Sequence, residues 1–213
     1  MQADPAKTRP ASSERVTMIG DAAIEVLATK GSRGLTHRAV DLHLSWPEGT
    51  TSRYYRTRDA LLTAVVQRLI EVEVSDIDAW RGATETDGPI TRRRIARVLA
   101  NALRHWVRGR TRQLARYELS LEGLRRPAVH DALIAGRKQL NGIVARALEA
   151  DGFPAPEAQA TLLVSAIDGL CHDYLLHPEI AVDARDVEDM LMRWLDAEHG
   201  APGQGAVPSP GAK

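Results

Sequence analysis

The sequence has no excess of charge of one sign, no long apolar run and only one cysteine. Lysine plus arginine and aspartate plus glutamate number 28 each, so any DNA-binding surface must be a local patch. The longest apolar runs have only a few residues and are soon broken by charge, as by Arg68 within residues 61–70, which excludes a bilayer-spanning segment. Cys171 cannot form an internal disulfide, and the N-terminal residues lack the apolar core of a signal peptide. The sequence therefore predicts a soluble, cytoplasmic protein without a membrane partner.

Motifs of catalysis are also missing. The sequence contains no G-x-S-x-G, no glycine-rich phosphate loop, no H-E-x-x-H and no C-x-x-C. Asp168 and His172 are spaced to share one helix face, but a metal site needs a third ligand, so we interpret them as a structural pair. Cys171, on an apolar helix face, is interpreted as a small core residue rather than a redox sensor. We predict neither an enzyme nor a bound metal or other cofactor.

What the sequence does contain is helical periodicity. Apolar residues recur at steps of three and four, as in the stripe from Val16 through Ile19 and Ala23 to Leu27. Glycine- and proline-rich breaks divide the chain into about nine helices. The helices up to residue 55 are short and the later ones long. The predicted fold is all-α, with a small N-terminal module leading into a larger helical bundle.

Residues 36–55 have the pattern of helix, tight turn and helix. Thr36 is placed to cap the second helix, residues 37–44, with Ala39, Val40 and Leu42 as its predicted buried residues. After a break at Ser45 and Trp46, Pro47 suits the first turn of a third helix. That helix carries small hydroxyl residues beside Arg53 and Tyr54. These residue types are typical of a recognition helix in the major groove of DNA.

Two blocks, GLTHRAV at residues 34–40 and PEGTTSRYYRTRDALL at residues 47–62, resemble the TetR family of tetracycline-repressor-like regulators. The resemblance covers roughly residues 13–62. It implies contacts to bases and phosphates of a palindromic double-stranded DNA operator. The implied DNA-binding residues are Thr36, Arg38, Glu48, Gly49, Thr50, Thr51, Ser52, Arg53, Tyr54 and Arg58.

Two positions depart from the family pattern. Many members have glycine at Ser45, so a left-handed turn there would cost roughly 1 kcal/mol, which packing of Trp46 could offset. Ser52 stands where tyrosine is common, which shifts phosphate anchoring onto Tyr54 and Arg58.

Three residues of this region have alternative interpretations. Tyr55 stands where the family packs phenylalanine inward and is expected in the core. Glu48 either accepts a hydrogen bond from a cytosine amino group or stabilises the helix start, and we favour the helix start. Arg56, with Arg58, could equally be a solvated helix end, although the surrounding motif favours DNA contact.

Composition and breaks predict a flexible N-terminal arm at 1–12, the helix-turn-helix domain at 13–58, a larger helical domain at 59–199 and a disordered tail at 200–213. The resemblance implies that the larger domain binds a ligand and dimerises. The helix from Asp59 would transmit ligand binding to the DNA module, so that a small molecule releases a dimeric repressor from DNA. Candidate ligand-binding residues are His105, Trp106, Tyr117, Glu118, Asn141 and His172. Of these, Trp106 is favoured as core, and His105 and Glu118 as structural residues.

The last two helices carry more apolar surface than one buried face needs, which indicates a homodimer. Predicted interface residues are Leu163, Ile167, Leu170, Tyr174, Leu191 and Trp194. A rival interpretation is a helical protein that binds another protein through this surface. The motif at residues 47–62 argues against it.

Overall fold

In the computed structural model, which describes residues 12–84, 89–179 and 181–199, the chain is all-helical, as predicted, and those residues contain no strand. None of the described helices combines the length and the hydropathy that a membrane span requires. The predicted tail and the predicted arm, apart from Ser12, lie outside the described residues. The described helices are α1 Ser12–Gly34, α2 His37–His43, α3 Thr50–Tyr54, α4 Arg58–Thr84, α5 Arg92–Arg108, α6 Arg110–Gly123, α7 Pro127–Ala150, α8 Pro156–Leu176 and α9 Ala184–His199.

By its internal packing the chain divides into two compact units. The first comprises the described residues up to Val74 together with Gly109–Gly136, and the second comprises Ser75–Arg108 and the described residues from Arg137 onward. The packing units differ from the predicted domains because α6 and the start of α7 pack with the N-terminal helices. The boundary near residue 58 between a DNA-binding domain and a ligand-binding domain stays a prediction.

The core of the first unit takes side chains from α1, α2, α4, α6 and α7, including Leu27, Val40, Leu62 and Leu119. Helices α4 and α7 approach closely at Gly136, where an added Cβ would lie 2.1 Å from Ile70 Cδ1. Buried Glu73 on α4 accepts a hydrogen bond from Arg116 on α6 at 2.7 Å. Since a buried carboxylate is costly without a partner, this ion pair fixes how α6 lies against α4.

In the second unit, α5 packs against α8 and α9. The buried residues of α9, Val187, Leu191 and Leu195, recur every four positions and form one apolar face. Arg97 of α5 reaches Glu188 of α9 at 3.5 Å, beside this face. Cys171 on α8 is buried, as predicted for a core residue.

Candidate nucleic-acid interface and ligand cavity

The turn between α2 and α3 contains a left-handed residue, Ser45, with φ of 54°. For a residue other than glycine this conformation costs roughly 1–2 kcal/mol. The next residue, Trp46, packs against the core of the first unit, and the Arg15 guanidinium lies 5.8 Å from its ring centroid. The condition raised by the missing glycine therefore holds, since Ser45 is left-handed, and the expected packing of Trp46 is confirmed.

Asp41 holds the turn and the start of α3 together. Its side chain is buried, with only 2% of the residue exposed, and accepts hydrogen bonds from the Gly49 N–H at 2.8 Å, the Thr51 N–H at 2.8 Å and the Thr51 hydroxyl at 2.5 Å. The carboxylate thus satisfies two backbone donors at the beginning of the recognition helix. Sequence reasoning missed Asp41; the signal was an acidic residue within an otherwise apolar stretch of α2.

Two predictions on these helices are corrected by this arrangement. Leu42, predicted to be buried, is 72% exposed, because α2 turns Val40 and Asp41 inward. Thr51, predicted to contact DNA, is fully buried and donates its hydroxyl to Asp41. Thr51 therefore supports the recognition helix from behind and does not belong to its exposed face.

Helix α3 is shorter than predicted and starts at Thr50 rather than Pro47. Gly49 precedes it with φ of 87°, a left-handed conformation that interrupts a helix and favours glycine. The Thr50 hydroxyl donates to the Pro47 carbonyl at 2.6 Å, and the Ser52 hydroxyl donates to the Gly49 carbonyl at 2.9 Å. These two hydroxyls can still accept hydrogen bonds, but each would have to leave its partner to donate to a phosphate.

Three predicted DNA-binding residues with charged side chains, Arg38, Glu48 and Arg53, are exposed. Arg38 and Glu48 are 3.8 Å apart with side chains 80% and 72% exposed, so their ion pair is weak and easily replaced by a DNA contact. Arg53 forms no hydrogen bond or ion pair with another described residue. Thr36 is exposed too, and its hydroxyl oxygen accepts from the Ala39 N–H at 3.0 Å, which confirms the predicted cap.

Tyr54 and Tyr55, at the end of α3, are both partly buried against the core of the first unit. Burial and the charge of Glu71 raise the pKa of Tyr55. The inward packing of Tyr55 is confirmed. Because Tyr54 also packs inward, it offers DNA less free surface than predicted.

Arg58 lies at the start of α4 and faces the chain itself. Its guanidinium donates to the carbonyls of Leu35 and Ser32, both at 2.5 Å, and to the Ser32 hydroxyl at 2.9 Å. Arg58, which was predicted to contact a phosphate, therefore binds the chain's own backbone and Ser32 instead. The donors of Arg58 satisfy carbonyls after Gly31, where a φ of 67° interrupts α1.

Ser32 connects this end of α1 to α6. Its backbone N–H donates to Glu118 at 2.9 Å and its hydroxyl donates to Glu122 at 2.6 Å. Hydrogen bonds from Ser32 and from Arg126 hold the pKa of Glu122 below its ordinary value of 4.5. Arg126 also donates to Asp59 of α4 at 2.5 Å. The network ties the helix-turn-helix to α4 and α6 within the first unit.

The second unit contains a cavity of about 770 Å³, within the range of roughly 300–1,000 Å³ typical of small-molecule sites. Its wall is formed by α4, α5, α7 and α8, with Pro89 and Ile90, and is mostly aliphatic. Two arginines, Arg94 of α5 and Arg146 of α7, line it as well. Apolar walls with a few polar groups are the usual composition of a ligand site.

Of the six predicted ligand-binding residues, only Trp106 lines this cavity, and it is also buried, as favoured. His105 instead lies 3.0 Å from Asp76 and edge-on to Trp80. Asn141 donates to Thr161 at 3.1 Å. The other three do not line the cavity either: His172 is exposed, and Tyr117 and Glu118 belong to the first unit.

Three of the six predicted dimer-interface residues, Leu163, Ile167 and Leu191, are buried in the core of their own chain. A helix face cannot serve a second copy when it is already packed inside. Leu170, Tyr174 and Trp194 are partly buried. The large apolar residues exposed on these helices are Leu162, Leu176 and Met190. Asp168, whose pairing with His172 was predicted, forms an ion pair with Arg137.

An all-helical chain that begins with a helix-turn-helix and continues into a cavity-bearing bundle has the architecture of a helix-turn-helix transcriptional regulator. A model of the C-terminal domain of tetracyclin repressor-like proteins matches residues 91–197. The chain belongs to the TetR family of transcriptional regulators, which are not enzymes. A comparison with curated proteins gives no match.

Solved structures agree with this assignment. A TetR family member from Streptomyces coelicolor A3 is 30% identical, with 84% of this chain and 97% of that chain covered and a TM-score of 0.65. The multidrug binding protein EbrR, in complex with ethidium, is 28% identical, with 84% and 97% covered and a TM-score of 0.65. GusR from Salmonella enterica, at 17% identity, 90% and 98% coverage and a TM-score of 0.70, shares the fold.

Proposed function

We propose that this chain is a dimeric transcriptional repressor that binds a palindromic operator through α2 and α3 and leaves it when a small molecule fills the cavity. The observation that carries the DNA-binding part is the exposed surface containing Thr36, Arg38 and Arg53, held by a turn that Asp41 fixes. A turn held by hydrogen bonds, with the exposed cations Arg38 and Arg53 beside it, suits insertion into a major groove. Such a regulator acts in the cytoplasm, on the operator.

The test of DNA recognition is a selection from randomised duplex DNA with the full chain, followed by titration at fixed salt. Arg53→Ala should weaken binding to the selected operator by about 1–3 kcal/mol without changing helix content. Arg125→Ala removes an equally exposed arginine outside α2 and α3 and should leave affinity unchanged. Equal operator affinity of Arg53→Ala and the unaltered chain would exclude Arg53 as a base-reading residue.

Support for the ligand part comes from the aliphatic cavity of the second unit and from EbrR, which has been solved with ethidium, proflavin and imidazole. The dimer proposal rests on α8. Leu162 and Leu176, 54% and 52% exposed, lie on the same side of the helix as Gly169, midway between them. Two exposed leucines on either side of a residue without a side chain suit close packing of a second copy of the chain.

Gly169 allows a specific test of the dimer. A Cβ at this position meets nothing within 4 Å, and arginine favours a helix more than glycine does. Gly169→Arg should therefore fold normally while lowering the sedimenting mass from dimer to monomer. The control, Ala135→Arg, is equally exposed on α7 and should leave the mass unchanged. An intact Gly169→Arg dimer would place the interface elsewhere.

A further inference from the structure

The charged residues among the described lining of the cavity in the second unit are two arginines. Arg94 and Arg146 line the cavity, and none of the described lining residues is acidic. The remaining described lining is aliphatic apart from Trp106. A ligand that binds here meets positive charge on one part of the wall and hydrocarbon on the rest.

Arg146 is the more available of the two arginines. Its side chain is exposed on α7 and forms no hydrogen bond or ion pair with another described residue. Its guanidinium lies near Gly142, where a Cβ would be 3.4 Å from Nη1. The Arg146 guanidinium is planar and has five N–H donors, so beside an apolar cavity it is suited to donate two hydrogen bonds to a carboxylate in a bidentate pair. Arg94, half-buried on α5, lines the same cavity.

The aliphatic wall determines the other half of the ligand. Ile95 and Val98 of α5, Val144 of α7 and Ile167 of α8 surround the space, and burial of hydrocarbon against them is favourable by about 25 cal/mol per Å². A cationic dye would place its charge against the arginines. We infer that the effector is an amphipathic carboxylate, with its hydrocarbon part against the aliphatic wall and its carboxylate on Arg146 and Arg94. This inference rests on the proposed ligand-binding function.

Three probes with closely matched chains and different heads test it: decanoate, decan-1-ol and decyltrimethylammonium. Each is titrated calorimetrically into the full chain, the two ions below their micelle concentrations and the alcohol below its solubility limit. Decanoate should bind tightest. Arg146→Gln, which keeps most of the side-chain stem, should weaken decanoate about tenfold and the alcohol less than twofold. The matched control is Arg93→Gln, an exposed arginine of α5 outside the cavity, which should leave all three affinities unchanged.

The outcomes distinguish a wrong assignment of the carboxylate from a cavity that binds no ligand. The carboxylate assignment is overturned if the alcohol or the ammonium binds as tightly as decanoate, or if Arg146→Gln leaves decanoate affinity unchanged. In either case the cavity remains a ligand site. Absence of binding by all three probes overturns the inference together with the ligand part of the proposed function. Decanoate affinity that falls with added salt while alcohol affinity stays constant supports the charge pairing.

Discussion

Replacing Asp41 tests whether the recognition helix depends on this single buried carboxylate. Asp41→Ala removes the acceptor of three hydrogen bonds, at 2.8, 2.8 and 2.5 Å, and leaves the N–H and hydroxyl of Thr51 without a partner in a fully buried position. A hydrogen bond to a charged group contributes about 1.5–3 kcal/mol, and a stranded buried donor costs about 1–3 kcal/mol. Allowing for non-additivity, we expect unfolding free energy to fall by about 3–5 kcal/mol.

Urea denaturation followed by circular dichroism measures this loss, and operator titration at low urea measures its effect on DNA binding. Asp131→Ala, the same change at an exposed position of α7, is the control and should stay within about 0.5 kcal/mol. The double variant with Thr51→Val isolates the coupling between the two side chains, expected at about 1–3 kcal/mol. A loss below about 1 kcal/mol for Asp41→Ala, or zero coupling with Thr51→Val, would refute the role of Asp41 in holding the start of α3.

Two further predictions concern the first unit. Gly136→Ala should lower unfolding free energy by about 1–3 kcal/mol despite the better helix propensity of alanine, because the new Cβ would lie 2.1 Å from Ile70 Cδ1; the loss should shrink in an Ile70→Ala background, and equal losses in both would exclude this contact. Glu122 has a lowered pKa, so its ionised form stabilises the fold above pH 4.5 and that stability is lost as pH falls through the folded-state pKa. In urea titrations Glu122→Gln should therefore lose its disadvantage progressively below pH 4.5, whereas a disadvantage that does not vary with pH would contradict the linkage.

Features that depend on neighbouring residues could be predicted from the sequence. The cap at Thr36 needs only a hydroxyl residue whose side chain reaches the amide three positions later. The question of a left-handed turn at Ser45 came from the glycine that the resembled family has there, and Ser45 is left-handed. Long helices such as α5 repeat their apolar pattern often enough to define a buried face.

Features that depend on residues far apart in the sequence could not be predicted from it. Helix α2 has seven residues, too few repeats to distinguish an inward Asp41 from an inward Leu42. The donors of Arg58 satisfy carbonyls that lie 23 and 26 residues earlier, and Glu118 reaches Ser32 across 86 residues. A charged residue before a helix has the same local pattern whether its partner is a phosphate or the chain's own backbone.

Because Arg58 donates to the chain's own carbonyls, the proposed DNA-binding surface has one cation fewer than the sequence predicts, which favours binding by two copies. Between residues 36 and 57 the cationic side chains Arg38, Arg53 and Arg56 are exposed, and the chain has no net charge to add to them. Each phosphate neutralised contributes about −0.9 to the dependence of log affinity on log salt. The electrostatic contribution of one protomer to DNA affinity is therefore expected to be modest. In the proposed dimer, two copies on adjacent major grooves would double the number of phosphate contacts and would require each half-site to be in register, so that specificity and affinity would arise together.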